Sequence, residues 1–293
     1  MPPTALVLYV DNASTDSSCH IADSFHSVLL LRESRNRGFG AGCNVGAAAA
    51  RAAGADYLFF LNPDTRAPWG AVARCAAVLE SQPEIGVVGP LQLTLESASK
   101  PLLYNAWTRR IVRWKDTDVL ANRALEPLSD IAFGEWLRSA PQFVETAYVN
   151  GAALCIRAAT FFELGGFDER YFLFFEEVAL CREARQRGYR VGLSTASSIR
   201  HAWGGHATGA RSLLWARSKY FYLLADPAAP RLLRLRAFAK EFVRDLRRGR
   251  VGWKQALVGL RTLGRASSVL CDDSPRRLLL LEPLGRTAKS RYS

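Results

Sequence analysis

The chain has 293 residues, 49% apolar and 23% charged, which is the balance of a globular protein and excludes a disordered one. Its 39 Lys plus Arg against 27 Asp plus Glu give a formal net charge of +12. The longest stretch without Asp, Glu, Lys or Arg covers the 13 residues 38–50, well short of the ~20 apolar residues a membrane-spanning helix needs.

Taken in chain order, Ala5–Val10 is a short, fully apolar run that ends in Asp11-Asn12-Ala13-Ser14-Thr15-Asp16, the pattern of a buried parallel strand opening into a polar loop. Val28–Leu31 is a second such run. A Gly-rich turn then leads into a small-residue helix over Ala41–Ala53, and Tyr57–Leu61 is a third buried strand ending at Asn62-Pro63-Asp64. Trp69–Leu79 has helical spacing and Ile85–Val88 is another strand. Residues 95–146 show no clear period and form an insertion of the kind on which binding surfaces are built. Tyr148–Ile156 resumes a strand pattern, and Ala158–Leu164 is a short helix closed by Gly165-Gly166. Glu176–Arg187 is a helix stopped by Gly188, and Tyr189–Leu193 is the last strand before a loop holding His201 and His206. Strands alternating with helices predict an α/β fold with a mostly parallel sheet flanked by helices.

The positive charge is confined to the end of the chain. Residues 1–210 carry 20 basic and 21 acidic side chains, whereas residues 211–293 carry 19 and 6. We therefore divide the chain into a main domain over 1–210 and a basic, amphipathic helical region over 211–293. A nearly neutral main domain argues against nucleic acid as a partner, and the basic region points to something anionic, an acidic membrane surface among the options. In that region Leu235, Phe238, Phe242 and Leu246 recur at helical spacing with arginines on other faces, and Trp253, Leu257 and Leu260 repeat the pattern. The first residues lack a basic, signal-like segment, which predicts a cytoplasmic protein. The six cysteines are widely spaced and suit neither a disulfide framework nor a zinc site.

Three constellations could carry chemistry. In an open sheet the ligand site lies beyond the carboxyl ends of the strands, which is where Asp11 and Asn62-Pro63-Asp64 fall. A carboxylate beside a rigid proline suits a divalent cation shared with substrate phosphates, although Asn-Pro-Asp-Thr is also good chemistry for a turn and helix cap. Gly38-Phe39-Gly40-Ala41-Gly42 lacks the spacing of a dinucleotide fingerprint, but a Gly-rich turn opening a helix can approach a phosphate or simply pack closely. Phe175-Glu176-Glu177 sets two carboxylates at a helix start behind an aromatic run. They can serve the helix dipole, or one can be a general base whose pKa is raised by an apolar pocket.

The order of these segments resembles glycosyltransferase family 2, particularly its rhamnosyltransferase-like branch, over residues 5–225. The matching segments are Val10-Asp11-Asn12-Ala13-Ser14-Thr15-Asp16, Asn36-Arg37-Gly38-Phe39-Gly40 with Asn44-Val45-Gly46, Leu61-Asn62-Pro63-Asp64, Gly165-Gly166-Phe167-Asp168-Glu169, Phe175-Glu176-Glu177 and His201. The resemblance implies a GT-A fold and inverting transfer of a sugar, rhamnose being one candidate, from a nucleotide-diphosphate donor to a cell-surface or lipid-linked glycan. It places Asp11, Asn12, Asn36, Gly38, Asn44 and Asn62 at the donor, and Asp64 with His201 at a Mg or Mn ion. Asp168 and Glu176 fall on the acceptor side, and Glu177 becomes the base that deprotonates the acceptor hydroxyl.

The chain departs from the family pattern in three places. Glu176-Glu177-Val178-Ala179 replaces the usual Glu-Asp followed by a further acid, and Cys43 stands where an Arg is common. The strand and helix that normally precede the Val-Asp-Asn strand do not occur in this sequence. Their loss predicts unpaired backbone along two neighbouring strands, and with it a natural start further upstream or a degraded gene product. Two alternatives follow: an inactive nucleotide-sugar-binding remnant of the same fold and, more remotely, a nucleotidyltransferase.

Overall fold

A computed structural model describes residues 5–94, 138–202, 210–226 and 229–247, with 252, 257 and 261. The insertion over 95–137, His206, Cys271 and the Trp253 and Leu260 repeats lie outside the described residues. The strands are β1 (Val7–Asp11), β2 (Val28–Arg32), β3 (Tyr57–Leu61), β4 (Thr65–Arg66), β5 (Ile85–Thr94), β6 (Phe143–Glu145), β7 (Ala153–Arg157) and β8 (Arg190–His201). The helices are α1 (Ser18–Asp23), α2 (Phe39–Ala52), α3 (Trp69–Ser81), α4 (Ala158–Glu163), α5 (Glu176–Gln186), α6 (Ala210–Leu224) and α7 (Arg231–Arg247).

The strands form a mixed sheet in the order β3-β7-β5-β8-β4, with β6 also on β8, and a separate parallel pair β1-β2. The α/β class agrees with the sequence, but the mostly parallel sheet is corrected. Only β1/β2 and β5/β8 are parallel, because β7 runs antiparallel between β3 and β5, and β4 and β6 run antiparallel to β8. An apolar run buried on both faces carries no mark of its direction, so alternation of elements alone could not reveal this.

β7 is the spine of the core. Leu154 and Ile156 join Leu58, Val87, Phe161, Phe167 and Leu180 on the face covered by α2, α4 and α5. On the other face Cys155 meets Cys75, Val78, Leu79 and Val88, beneath α3. Every side chain from Ala153 to Ile156 is at most 1% exposed. β1 is different: Val7 is 45% exposed and Leu29 on its partner 43%, so the predicted buried strand is parallel but not buried. Among the described residues β1 pairs only with β2, and β3 only with β7, leaving one open edge on each. α2 joins the two sheets, with Gly42 and Gly46 facing Val10 while Ala47 and Ala50 enter the main core.

At the other end, α6 and α7 pack as a pair. Tyr220, Phe238 and Phe242 cluster with ring centroids 5.2–5.8 Å apart. Beside them Lys219, Glu241 and Asp245 are almost fully buried, and the Lys219 ammonium lies 3.3 Å from Glu241 and also donates to Asp245. Removing the ammonium leaves Asp245 buried without its cation, while Glu241 keeps Arg244, so Lys219→Met is expected to cost about 3 kcal/mol. A urea titration checks this, and a loss within error would show that the ion cluster does not hold the helices.

Candidate active site

The predicted residues fall at the carboxyl ends of β1, β3 and β8, at the starts of α2 and α5 and in adjoining loops, together the rim. Asp11 closes β1 and is buried; its carboxylate accepts from the Ser14 N–H at 3.1 and 3.3 Å, and the Ser14 hydroxyl, more than this N–H, holds its pKa below the usual carboxylate range. Asn12 clamps the following glycine turn, donating from Nδ2 to the Gly38 carbonyl at 2.8 Å and accepting from the Arg37 N–H at 3.2 Å. Asn36 adds a third tie by accepting from the Gly38 N–H at 2.9 Å.

Gly38 is required where it stands. Its φ of 98° is a glycine conformation, and a Cβ there would sit 2.2 Å from the Phe172 carbonyl oxygen. That carbonyl accepts from the Phe39 N–H at 2.9 Å, which binds the start of α2 to the segment before α5. Gly38→Ala is therefore expected to cost at least ~2 kcal/mol, from left-handed strain and displacement of the 172–175 segment. Thermal unfolding of the variant measures it, and an unchanged midpoint would refute the close approach.

Asn44 ties the same helix to the Gly165-Gly166-Phe167-Asp168-Glu169 loop. Its Oδ1 accepts from the Phe167 N–H, and its Nδ2 donates to the Phe167 carbonyl and to Glu169, all at 2.9–3.1 Å. Arg37 reaches the same Glu169 at 2.6 Å. Asp168 is buried and holds Arg170 through both carboxylate oxygens at 2.8–3.2 Å. These residues shape the rim by fixing loops to one another.

The two glutamates point to different elements, as neighbours on a helix must. Glu176 packs against Gly40, and Glu177 against Gly151. Oε2 of each is buried without a hydrogen-bond partner, while backbone N–H groups at the helix start, those of Glu177 and Val178 among them, bond the Glu177 carboxylate as the helix dipole favours. Burial raises both pKa values, that of Glu177 to about 7, and the Glu177 charge adds to the rise at Glu176. The segment before them is strained, with Phe174 and Phe175 at φ 69° and 71°.

α6 holds that segment in place. Ser218 donates to the Leu173 carbonyl at 2.7 Å, and the Phe175 ring lies 5.9 Å from Trp215 and 5.6 Å from Tyr222. Sequence reasoning did not find Ser218, because a lone serine in a helix carries no pattern.

On the far side of the 150–152 turn lie Asn62, Asp64 and His201. The Asn62 N–H donates to the Ala152 carbonyl at 2.9 Å, so one turn touches Asn62 through Ala152 and Glu177 through Gly151. Thr65 donates through both N–H and Oγ1 to the Asn62 carbonyl, forming the turn that Asn-Pro-Asp-Thr favours. The following helix begins only at Trp69, so this turn does not cap it. Thr65 pairs with His201 at the end of β8, and the Asp64 carbonyl accepts from the Ala202 N–H. This brings the half-exposed Asp64 carboxylate to 3.3 Å from His201 Nε2. The Asn62 Oδ1 atom is buried without a partner, an oxygen acceptor left over beside a carboxylate and an imidazole. That donor set fits a Mg- or Mn-type ion completed by phosphate oxygens. Among the described residues no cluster of three or more His, Cys, Asp or Glu could hold a metal by itself.

Comparison with known proteins bears on the family and the fold. Residues 4–118 match the family model described as glycosyl transferase family 2. Over that part of its length the chain is similar to family 2 glycosyltransferases. It is 29% identical over 248 residues to the N-acetylglucosaminyl-diphospho-decaprenol L-rhamnosyltransferase of Mycobacterium tuberculosis strain CDC 1551 / Oshkosh, covering 75% of this chain and 74% of the relative. The same figures hold for that enzyme in strain ATCC 25618 / H37Rv. Among solved structures, S. aureus TarS 1–349 superposes with a TM-score of 0.51 at 12% identity, over 90% of this chain and 71% of TarS, which supports the GT-A fold of this glycosyltransferase. GalNAc-T7, solved with UDP, GalNAc and Mn2+, gives a TM-score of 0.49 at 16% identity, and the aligned part of this chain (82%) spans half of that one.

Proposed function

We propose that this glycosyltransferase moves a deoxyhexose, L-rhamnose first among candidates, from a nucleoside-diphosphate donor to a lipid-linked glycan, with inversion at the anomeric carbon. The observation that carries the proposal is the single turn over 150–152. It sets a buried, proton-hungry Glu177 carboxylate on one side and Asn62 with the Asp64–His201 pair on the other. The similarity to a mycobacterial rhamnosyltransferase, named for a diphospho-decaprenol acceptor, supports the sugar and the acceptor class.

In this reading Glu177 takes the acceptor hydroxyl proton as the acceptor oxygen bonds to the anomeric carbon, while the bond from that carbon to the diphosphate oxygen breaks. The nucleoside diphosphate leaves on the opposite face. A general base works best with a pKa near the working pH, and burial brings Glu177 there. Asp64, His201 and Asn62 would hold a Mg or Mn ion, and such an ion would supply positive charge for the leaving diphosphate. Asn12, Asn36 and Gly38 shape the donor side near Asp11, and Asn44 fixes the Asp168 loop on the acceptor side beside Glu176. Residues 1–210 form the transferase domain and residues 211–293 a basic region that keeps the protein at the cytoplasmic face of the membrane carrying the acceptor. No helix among the described residues is long and apolar enough to cross a membrane. Transfer from nucleotide-sugar donors to an isoprenoid-diphosphate-linked N-acetylglucosamine, with Mg or Mn present, tests the proposal; failure with every deoxyhexose donor would overturn the choice of sugar.

One observation favours a second reading. Among the described residues β1 and β3 each pair on one side only, and unpaired strands leading to Asp11 and Asn62 suit a protein that binds nucleotide sugars without turnover. Calorimetry separates the two: nucleoside-diphosphate binding without any transfer would support the second.

A further inference from the structure

The last described helix, α7, has two apolar faces where folding requires one. Its inner face is spent on α6 through Phe238, Leu235 and Phe242. Both acids of the helix, Glu241 and Asp245, are also turned inward and buried with Lys219. The outer face is therefore free of negative charge. Leu232, Ala239, Val243 and Leu246 fall on one side at spacings of 7, 4 and 3, diametrically opposite the buried acids, with exposures of 68% at Leu232, 43% at Val243 and 45% at Leu246. The sequence pattern assigned Leu246 to the packing stripe with Phe238 and Phe242, whereas the structure turns it outward. Exposed Arg236, Lys240 and Arg247 run along the edge of this stripe.

We infer that the outer face of α7 is a docking surface for an anionic lipid bilayer, with Leu232, Val243 and Leu246 entering the headgroup boundary and Arg236, Lys240 and Arg247 meeting lipid phosphates. Scattered exposed apolar residues are ordinary on a protein surface, but a continuous stripe that runs from the packed face to a row of cations is the make-up of an interfacial helix. Charge complementarity selects the occupant: among the described residues of α7 the outer face carries exposed cations and no acid, so a negative membrane fits it better than a second copy of this basic chain. The packing also gives docking a consequence. α7 is locked to α6 by the buried ion cluster, and α6 holds the strained segment that presents Glu176 and Glu177, so a lipid-bound α7 sets the catalytic rim at a fixed height above the bilayer. The inference rests on the membrane part of the reading above and is independent of its transfer chemistry.

Flotation of the full chain with vesicles tests it. Vesicles of equal parts phosphatidylglycerol and phosphatidylcholine are expected to capture the protein, and pure phosphatidylcholine to capture far less. High salt should release it. Each basic residue near the surface contributes about fivefold to partitioning, so Arg236→Ser, Lys240→Ser and Arg247→Ser together are expected to weaken capture on the order of 100-fold. Leu232→Ser with Leu246→Ser should weaken it at least ~10-fold. Both sets should leave transfer to a short, water-soluble acceptor analogue unchanged. Capture that ignores lipid charge or either set of substitutions would overturn the inference. So would a dimer in solution that dissociates on Leu232→Ser, which would assign the face to a second copy. A chain that docks as described yet transfers no sugar would instead overturn the transferase proposal and leave the docking face standing.

Discussion

Glu177→Gln is expected to lower transfer by about 10²- to 10⁴-fold, the usual contribution of a general base, while making the protein more stable at alkaline pH. The second half follows from linkage. Burial lifts the Glu177 pKa from 4.5 to about 7 in the folded state, whereas the unfolded chain keeps the ordinary value. The folded protein therefore holds this proton more tightly. Stability associated with the group is full below pH 4.5 and is lost as pH rises through about 7, where the buried carboxyl must ionise. At one pKa unit to 1.36 kcal/mol, the cost at pH 8 is on the order of 3 kcal/mol. Glutamine is neutral and nearly isosteric, so it escapes that cost. Denaturant midpoints of the two proteins should coincide near pH 4.5 and separate by pH 8, with the variant the more stable. Transfer by the unsubstituted enzyme should rise with pH through about 7. A variant that is active, or no more stable at pH 8 than the parent, would remove Glu177 from the role of base.

Asp64→Ala is expected to reduce transfer by on the order of 10²- to 10³-fold and to abolish its dependence on added Mg or Mn, because one carboxylate is the only anionic protein ligand the proposed ion has. A readout apart from activity is available. Mn binding followed by its electron spin resonance signal, in the presence of a nucleoside diphosphate, should be strong in the parent and lost in the variant. Asp64 is half-exposed and makes its side-chain contact only with His201 among the described ion pairs, so folding should survive. Unchanged Mn binding would place the ion elsewhere.

Much of this arrangement could be read from the residues. Tyr57–Leu61 is a strand with the predicted ends, since an apolar run closed by Asn-Pro leaves little freedom. α2, α3 and α5 agree to within two residues at each end, their starts and stops being set by Gly38, Pro68 and Gly188. β8 shows where pattern reading fails. Ser197 is fully buried and the strand runs on to His201: Ser197 lies in an irregularity between Ser194 and Ser198 where its hydroxyl donates to the Ala71 carbonyl, and pairing with β5 resumes at Ser198. Serine inside a strand is acceptable once its hydroxyl is satisfied, and the sequence does not announce the acceptor. β5 likewise continues past Pro90 to Thr94 through a register shift, the kind of irregularity at which a proline fits.

The site was legible as a set of residues but not as a set of contacts. The strand expected over Tyr148–Ile156 is half turn: Asn150 accepts from the Ala152 N–H, and β7 begins only at Ala153. Asn-Gly is a strong turn signal, and giving it more weight than the surrounding apolar residues would have found the piece that joins Glu177 to Asn62. By contrast, nothing local in the sequence could indicate that Asn44 spends its amide on Phe167 and Glu169, 123 and 125 residues away, or that Ser218 holds Leu173. Such contacts depend on the tertiary fold alone.

The central claim is sugar transfer with inversion to a lipid-linked acceptor. The most direct measurement incubates the full chain with nucleoside-diphosphate-L-rhamnose, Mn and an isoprenoid-diphosphate N-acetylglucosamine, then reads the anomeric configuration of the extended lipid by NMR. A single added rhamnose with its anomeric configuration opposite to that of the donor is the predicted result. A product that retains the donor configuration, or donor binding with no extended lipid, would contradict it.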